Sequence, residues 1–105
     1  MLEKTIEDFL KRLVKEEGGL CIKLIPIGTA GIPDRLVLLP GGKILFVELK
    51  APGEKPRTIQ TVWQKKIEAL GFNSVVIDSR VAARGVIWNA VHTTSVSDTG
   101  DRKDF

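Results

Sequence analysis

Residues 31–50, GIPDRLVLLPGGKILFVELK, contain two apolar runs that are separated by a Pro-Gly-Gly turn at positions 40–42. This arrangement is typical of a β-hairpin, so we predict strands at residues 35–39 and 43–50. The second run is apolar at nearly every position as far as Val47, as in a strand that is covered on both faces. The hairpin is therefore expected to lie inside a sheet with helices packed on it.

The remaining elements follow from apolar spacing on either side of the hairpin. They are a helix over 2–17, a short strand over 20–27, a glycine-rich connection over 28–33, a loop over 51–57, a helix over 59–70, a strand over 73–78 and a weaker helix over 81–91. The order α-β-β-β-α-β-α predicts an α/β fold with a mixed central sheet flanked by helices, whose last strand runs parallel to 43–50. Residues 1–92 are predicted to form one domain, and residues 93–105 a polar, flexible tail.

The composition limits the chemistry that this domain can perform. The chain has 105 residues and a net charge of +3, with 43% hydrophobic and 28% charged residues, which is typical of a single globular domain. Because it contains one cysteine, Cys21, and one histidine, His92, a disulfide framework and an intrachain Cys/His zinc site are excluded. No apolar run is long enough for a membrane span and the N-terminus is acidic, so we expect a cytoplasmic, intracellular protein in which Cys21 is a small buried hydrophobe.

Two carboxylates are predicted to meet at the open end of the hairpin. If the turn lies at 40–42, residues near 34–35 face residues near 47–48, which brings Asp34 close to Glu48. Glu48 and Lys50 share a face with apolar residues, where a carboxylate is costly unless it is paired or bound to a metal. A turn aspartate beside a Glu48–Lys50 surface pair is the alternative, but the combined spacing favours a Mg²⁺ site.

These motifs resemble a known nuclease superfamily. Gly31-Ile32-Pro33-Asp34, Glu48-Leu49-Lys50 and Gln60 at the start of a helix are similar to the PD-(D/E)xK pattern, and in particular to the small, stand-alone, phage-like form of the virus-type replication-repair nuclease (VRR-NUC) family. The resemblance implies a restriction-endonuclease-like fold and a Mg²⁺- or Mn²⁺-dependent phosphodiesterase. It also implies that Asp34, Glu48 and the Leu49 carbonyl bind the metal, while Lys50 positions or helps to deprotonate the attacking water.

Two further catalytic positions are carried over from the same resemblance. An acidic residue on the first helix would complete the site, and Glu7 is favoured as this catalytic, metal-binding residue, with Glu3 as the other candidate and a Glu7–Lys11 surface pair as the alternative. Gln60 would hold a metal-bound water or a phosphate beside a buried Ile59/Trp63/Ile67 stripe, with Gln64 as its rival.

Basic residues flank the predicted metal site and are candidates for gripping a DNA backbone without reading its sequence. They are Arg35, Lys55, Arg57, Lys65 and Lys66. For each of them taken alone, a solvated surface or an ordinary ion pair is the alternative.

Together with these residues, the resemblance implies a structure-selective DNA endonuclease of a phage or its bacterial host. A domain this small has little surface of its own for a branched substrate, so we expect a homodimer that places two sites on two strands of a Holliday (four-way) junction. A non-catalytic nucleic-acid-binding module of the same fold and a flap- or nick-directed nuclease are the alternatives.

Overall fold

Three helices and four strands follow one another in the predicted order in the computed structural model, which describes residues 1–93. They are α1 (Glu3–Glu16), β1 (Leu20–Lys23), β2 (Arg35–Leu39), β3 (Lys43–Leu49), α2 (Thr58–Ala69), β4 (Asn73–Ile77) and α3 (Arg80–His92). Apart from Thr93, the tail predicted for residues 93–105 lies outside the described residues. Among the helices of residues 1–93, none has both the length and the apolar character that a membrane span requires.

The four strands form one mixed sheet in the order β1-β2-β3-β4. β2 runs antiparallel to both β1 and β3, whereas β4 runs parallel to β3, as the helical crossover predicts. The hairpin register is also as predicted, since Arg35 lies opposite Val47 and the amide of Asp34 donates to the Val47 carbonyl at 3.0 Å. In this register Asp34, which immediately precedes β2, lies beside the last residues of β3.

Alternation along β3 separates the hydrophobic core from the polar end of the strand. Leu45, Val47 and Leu49 are buried in the core, which α1 and α3 cover. Glu48 projects to the other face, where it meets Gln60 of α2. The central strand is therefore covered on both faces at this end, and a carboxylate lies inside one of its interfaces.

The first strand is shorter than predicted. It ends at Lys23, whereas the prediction extended it to Ile27. One further backbone bond, from the Leu24 amide to the Asp34 carbonyl at 2.9 Å, continues the pairing before the chains separate. Beyond it β2 has no residues left to pair, and Pro26 has no amide hydrogen to donate. Residues 24–33 instead form the connection that leads into Asp34.

Gly31 permits α2 to pack against this connection. Its φ of +88° lies in the left-handed region, and a Cβ built on it would approach the Ile59 Cγ1 to 2.7 Å and the Ile59 carbonyl oxygen to 2.9 Å. Gly28, in the same connection, has a φ of +73° but no heavy atom within 4 Å of the corresponding position. The two glycines thus share a backbone requirement and differ in the space around them.

We predict that Gly31→Ala destabilises the protein more than Gly28→Ala. Both variants place a side chain in left-handed backbone, at a cost of about 1–2 kcal/mol. Only Gly31→Ala also forces a contact with Ile59, which adds about 1–3 kcal/mol. Urea unfolding of the two variants measures the difference, and equal losses in the free energy of unfolding would show that the close approach to α2 is unimportant.

Candidate active site

The end of β3 brings together the two carboxylates that the hairpin spacing predicts. Asp34 immediately precedes β2, and its Oδ2 accepts a hydrogen bond of 2.8 Å from the Leu49 amide. This bond fixes the Asp34 carboxylate against the strand that carries Glu48. Lys50 follows directly, and its amide donates to the Ile77 carbonyl of β4 at 3.0 Å, so that two strands hold this end of β3.

Glu48 lies almost completely buried, with 2% of its surface exposed. Its Oε2 accepts a hydrogen bond of 2.6 Å from the Gln60 Nε2 and lies 3.7 Å from the Lys50 Nζ. Its Oε1 is buried and has no hydrogen-bond partner among residues 1–93. One oxygen of this carboxylate is thus held by the protein, while the other is desolvated and unsatisfied.

The electrostatic environment reflects this burial. Burial, which excludes solvent from the carboxylate, is the largest cause that raises the pKa of Glu48 to about 7. The nearby charges of Asp34 and Glu3 raise this pKa further, and Lys50 opposes the shift. A carboxylate at this position is therefore disfavoured at neutral pH unless a further positive charge compensates it.

Gln60 is a buried residue in the first turn of α2, and both ends of its amide are occupied. Its Oε1 accepts from the Arg57 amide at 2.8 Å, while its Nε2 donates to Glu48. The alternative of a solvated helix residue is therefore wrong for Gln60. The predicted burial of Ile59 is also wrong, since Ile59 is 41% exposed and the face of α2 that meets the sheet carries Gln60 and Ile67.

The rival amide, Gln64, lies one turn farther along α2. Its Nε2 is buried and has no hydrogen-bond partner among the described residues, so it does not contact Glu48 in place of Gln60. Of the two amides, only Gln60 is held against the carboxylate.

The first helix brings Glu3 to the site and directs Glu7 elsewhere. Partial burial and the charge of Asp34 raise the pKa of Glu3, and Glu3 in turn acts on Glu48. The Glu7 Oε2 instead accepts from the Arg35 Nε at 3.0 Å and lies 2.9 Å from the Arg35 Nη2. The preference for Glu7 therefore needs correction, because its carboxylate is committed to this pair.

The prediction that Arg35 binds DNA is contradicted by the same pair. Arg35 is 7% exposed, and its Nη1 also donates to the Cys21 carbonyl at 3.3 Å, so its guanidinium faces the protein interior. The alternation of residues along β2 could have predicted the burial of Arg35, because Arg35, Val37 and Leu39 share the face that packs beneath α1. An arginine on that face needs an acidic partner from α1, and Glu7 supplies it.

The other predicted basic residues lie on the surface around the site. Lys55 and Arg57 are exposed in the loop between Lys50 and α2, and Lys65 and Lys66 are exposed on α2. Lys66 also places its Nζ 4.9 Å from the centre of the Trp63 ring. These four side chains are free to meet a solvent-borne ligand, which Arg35 is not.

The single cysteine and the single histidine of the chain lie outside this arrangement. Cys21 packs against the hydrophobic core, and burial raises the pKa of its thiol, as expected of a small hydrophobe. The Nδ1 of His92 lies 2.8 Å from the Trp88 carbonyl, and its ring stacks on the Trp88 ring at the end of α3. Neither residue reaches Glu48.

The donor set at the end of β3 fits a hard divalent cation. The buried Glu48 Oε1 needs a positive partner, and Asp34 places a second carboxylate beside it. Within residues 1–93, no three His, Cys, Asp or Glu side chains cluster closely enough to hold a metal by themselves. A cation here would be held by two carboxylates together with backbone and water oxygens, which is a set that Mg²⁺ accepts.

Comparison with known proteins identifies relatives of this chain, although no family model matches it. The chain is 47% identical over 78 residues to "Putative nuclease p44" of Acyrthosiphon pisum secondary endosymbiont phage 1, a match that spans 74% of this chain and 84% of that protein. A solved structure described as a VRR_NUC domain is 33% identical, with a TM-score of 0.77 over 82% of this chain and 94% of that chain. With the restriction-endonuclease-like order of elements and the Asp34, Glu48 and Lys50 motif in place, the chain belongs to the virus-type replication-repair nuclease (VRR-NUC) family of the PD-(D/E)xK superfamily, in its phage-like form.

Proposed function

We propose that this nuclease is a Mg²⁺- or Mn²⁺-dependent DNA endonuclease that cuts branched DNA. The observation that carries the proposal is the buried Oε1 of Glu48, which has no hydrogen-bond partner in the described part of the chain and lies beside a second carboxylate and a lysine. Lys50 compensates the charge of this carboxylate only in part, since burial and Asp34 still raise the pKa of Glu48 to about 7. A divalent cation would supply the further positive charge.

Asp34, Glu48 and the Leu49 carbonyl are the proposed ligands, with Glu3 contributing from α1 through water. These residues would hold a divalent ion, which would supply Lewis-acid chemistry by lowering the pKa of a bound water and offsetting charge on phosphate oxygens. The protein's own residues then have distinct tasks. Lys50 places its ammonium group beside the carboxylate, where it can orient the attacking water and donate to the developing charge on the phosphate.

Gln60 is proposed to act through Glu48 and not on the phosphate. Its amide connects the Glu48 Oε2 to the first turn of α2, which fixes the rotation of the carboxylate and leaves Oε1 directed toward a ligand. The basic residues Lys55 and Arg57, in the loop that follows Lys50, would hold the DNA backbone near this centre.

A homodimer and a four-way junction substrate are the finer parts of this proposal. Junction resolution requires cuts in two strands, and the carboxylates of this chain form one centre. The exposed side chains of Leu20 and Ile22, at 61% and 40%, lie on the edge strand β1. They face the same side of the sheet as Leu36 and Leu38, and apolar surface of this kind is common at contacts between subunits.

We predict that Glu48→Gln lowers metal-dependent cleavage by about 100-fold or more, because it removes a charge that holds the metal. Wild-type protein and the variant are incubated with a labelled four-way junction, a flap, a nicked duplex and an intact duplex in Mg²⁺ or Mn²⁺. Paired cuts in the junction, by protein whose sedimentation gives twice the chain mass of 11.6 kDa, are the expected result.

Glu68→Gln, an exposed change of the same kind on α2, is the control for this assay and should cleave like wild type. A chain of the same fold that only binds nucleic acid would retain junction binding and show no cleavage in either metal. Cuts confined to the flap or to the nicked duplex, made by a monomer, would replace the junction proposal with a one-strand activity.

We predict different defects for the two acids of the first helix. Glu3→Gln should lower cleavage by about 10- to 100-fold while leaving unfolding nearly unchanged, since Glu3 is exposed and acts on the site. Glu7→Gln should lower the free energy of unfolding by about 1–3 kcal/mol, since it leaves the Arg35 guanidinium buried without its charged partner. Cleavage rates and urea unfolding of both variants test this, and the reverse pattern would restore Glu7 as the residue that completes the site.

We predict that the metal-free protein loses stability as pH rises from about 5 to about 8. The pKa of Glu48 is about 7 in the folded protein against 4.5 ordinarily, so between these values the folded chain keeps a proton that the unfolded chain has released. Its contribution is present at low pH and lost as pH rises toward about 7, amounting to about 3 kcal/mol at roughly 1.4 kcal/mol per pKa unit.

The measurement is urea unfolding of wild type and Glu48→Gln in EDTA across this pH range. The difference between the two proteins isolates Glu48 from other titrating groups, and Mg²⁺ at about pH 8 should stabilise only the wild type. Parallel pH profiles for the two proteins would contradict the assignment of a destabilised carboxylate at this position.

A further inference from the structure

Two arginines line a crevice between α1 and α3, and a third lies over an aromatic ring of the same crevice. The lining residues are Thr5, Asp8, Phe9, Arg12 and Arg80. The Arg12 Cζ lies 5.3 Å from the centre of the Phe9 ring, and the Arg84 Cζ lies 5.2 Å from the same ring. We name this group of Arg12, Arg80 and Arg84 the arginine crevice.

The arginine crevice has an unbalanced positive charge. Among residues 1–93, none of its three guanidinium groups forms an ion pair. The one acid that lines the crevice, Asp8, lies 3.4 Å from the Lys4 Nζ on its own helix. Three like charges close together repel one another, so the arrangement favours the binding of an anion.

Arg12 and Arg84 lie over the Phe9 ring and can still bind such an anion. A guanidinium that lies over an aromatic ring uses its face, while its N–H donors project from its edges. Arg80 and Arg84 are one turn apart on α3, and therefore lie on the same side of that helix. Their donors, with those of Arg12 across the crevice, can form the paired hydrogen bonds that phosphate oxygens accept.

The arginine crevice lies near the catalytic end of the sheet. α1 begins at Glu3, which acts electrostatically on Asp34 and Glu48, and α3 begins three residues after Ile77, whose carbonyl accepts from the Lys50 amide. Both helices therefore start beside the carboxylates. Phe9 is six residues along α1 from Glu3, a displacement of about 9 Å along the helix axis at 1.5 Å per residue.

We propose that the arginine crevice binds a backbone phosphate of the DNA substrate a few nucleotides away from the bond that is cut. This inference rests on the proposed function, because it requires that the site at Glu48 acts on DNA. The offset of about 9 Å along α1 between Glu3 and Phe9 exceeds one nucleotide step of about 3.4 Å, so the phosphate bound here is not the one that is cut. The contact is made to the backbone and carries no sequence preference, as a structure-selective enzyme requires.

Two double variants with the same loss of charge test the proposal. Arg80→Gln with Arg84→Gln removes two arginines of the crevice, while Lys11→Gln with Lys15→Gln removes two exposed lysines of α1 that do not line it. Affinity for a four-way junction is measured in EDTA by fluorescence anisotropy over a series of salt concentrations. Urea unfolding confirms that each variant is folded.

The arginine variant is expected to bind the junction about tenfold more weakly than wild type. The plot of the logarithm of the binding constant against the logarithm of the salt concentration should become less steep, its slope falling in magnitude by about one. The lysine variant should lose less than about threefold in affinity. Arg80→Lys with Arg84→Lys should lie between the arginine variant and wild type, since it keeps the charge and loses the paired hydrogen bonds. Equal losses in the arginine and lysine variants would overturn the proposal.

Two further outcomes separate this inference from the alternatives. Failure of the wild-type protein to bind or cut any DNA would overturn the proposed function, whereas normal binding and cutting by both wild type and the arginine variant would overturn the arginine crevice alone. Inorganic phosphate is the second probe. Stabilisation of wild type but not of the arginine variant by phosphate, without any difference in DNA affinity, would assign the crevice to a free anion and reject the DNA contact.

Discussion

The burial of one carboxylate, that of Glu48, is the constraint on which the arrangement of the site depends. The carboxylate lies on an otherwise apolar strand, so the protein must supply polar partners from other elements. Gln60 reaches it from α2, Lys50 lies along the same strand, and Asp34 is held beside it by the Leu49 amide. These contacts satisfy one carboxylate oxygen and leave the other without a donor, which is an unfavourable arrangement in the apo protein and a favourable one for cation binding.

A second buried charge pair determines which acid of α1 can take part. Arg35 lies on the core face of β2, where its guanidinium would be unsatisfied if Glu7 did not face it. The pair connects α1 to β2, and with the apolar contacts of Ile6 and Leu10 it fixes the position of the helix. As a result, Glu3, one turn earlier on α1, lies at the catalytic edge of the sheet. A structural ion pair thus positions a residue of the proposed active site without belonging to it.

The small net charge of +3 does not show where the charges lie in space. Asp34 and Glu48 at the end of β3 and Glu3 at the start of α1 act on one another. Exposed bases lie in the loop that follows β3, on α2, and across the α1–α3 surface that contains Arg12, Arg80 and Arg84. The proposed function uses both regions, because a metal ion would bind to the carboxylates and the DNA backbone to the cations. The total charge of the chain reports neither.

The sequence by itself determined the order of elements, the hairpin register and the meeting of Asp34 with Glu48, because turn residues and strand alternation act over a few residues. It also determined that α2 carries an amide near the site, but not which one, since Gln60 and Gln64 share a face of that helix. Only the tertiary structure decided that Arg35 is buried against Glu7, that Glu3 acts on Glu48, and that arginines from two helices lie over Phe9. These outcomes depend on how α1 is rotated on the sheet and where α3 packs beside it, and such rotations are set by the shape of the whole core and not by any local pattern.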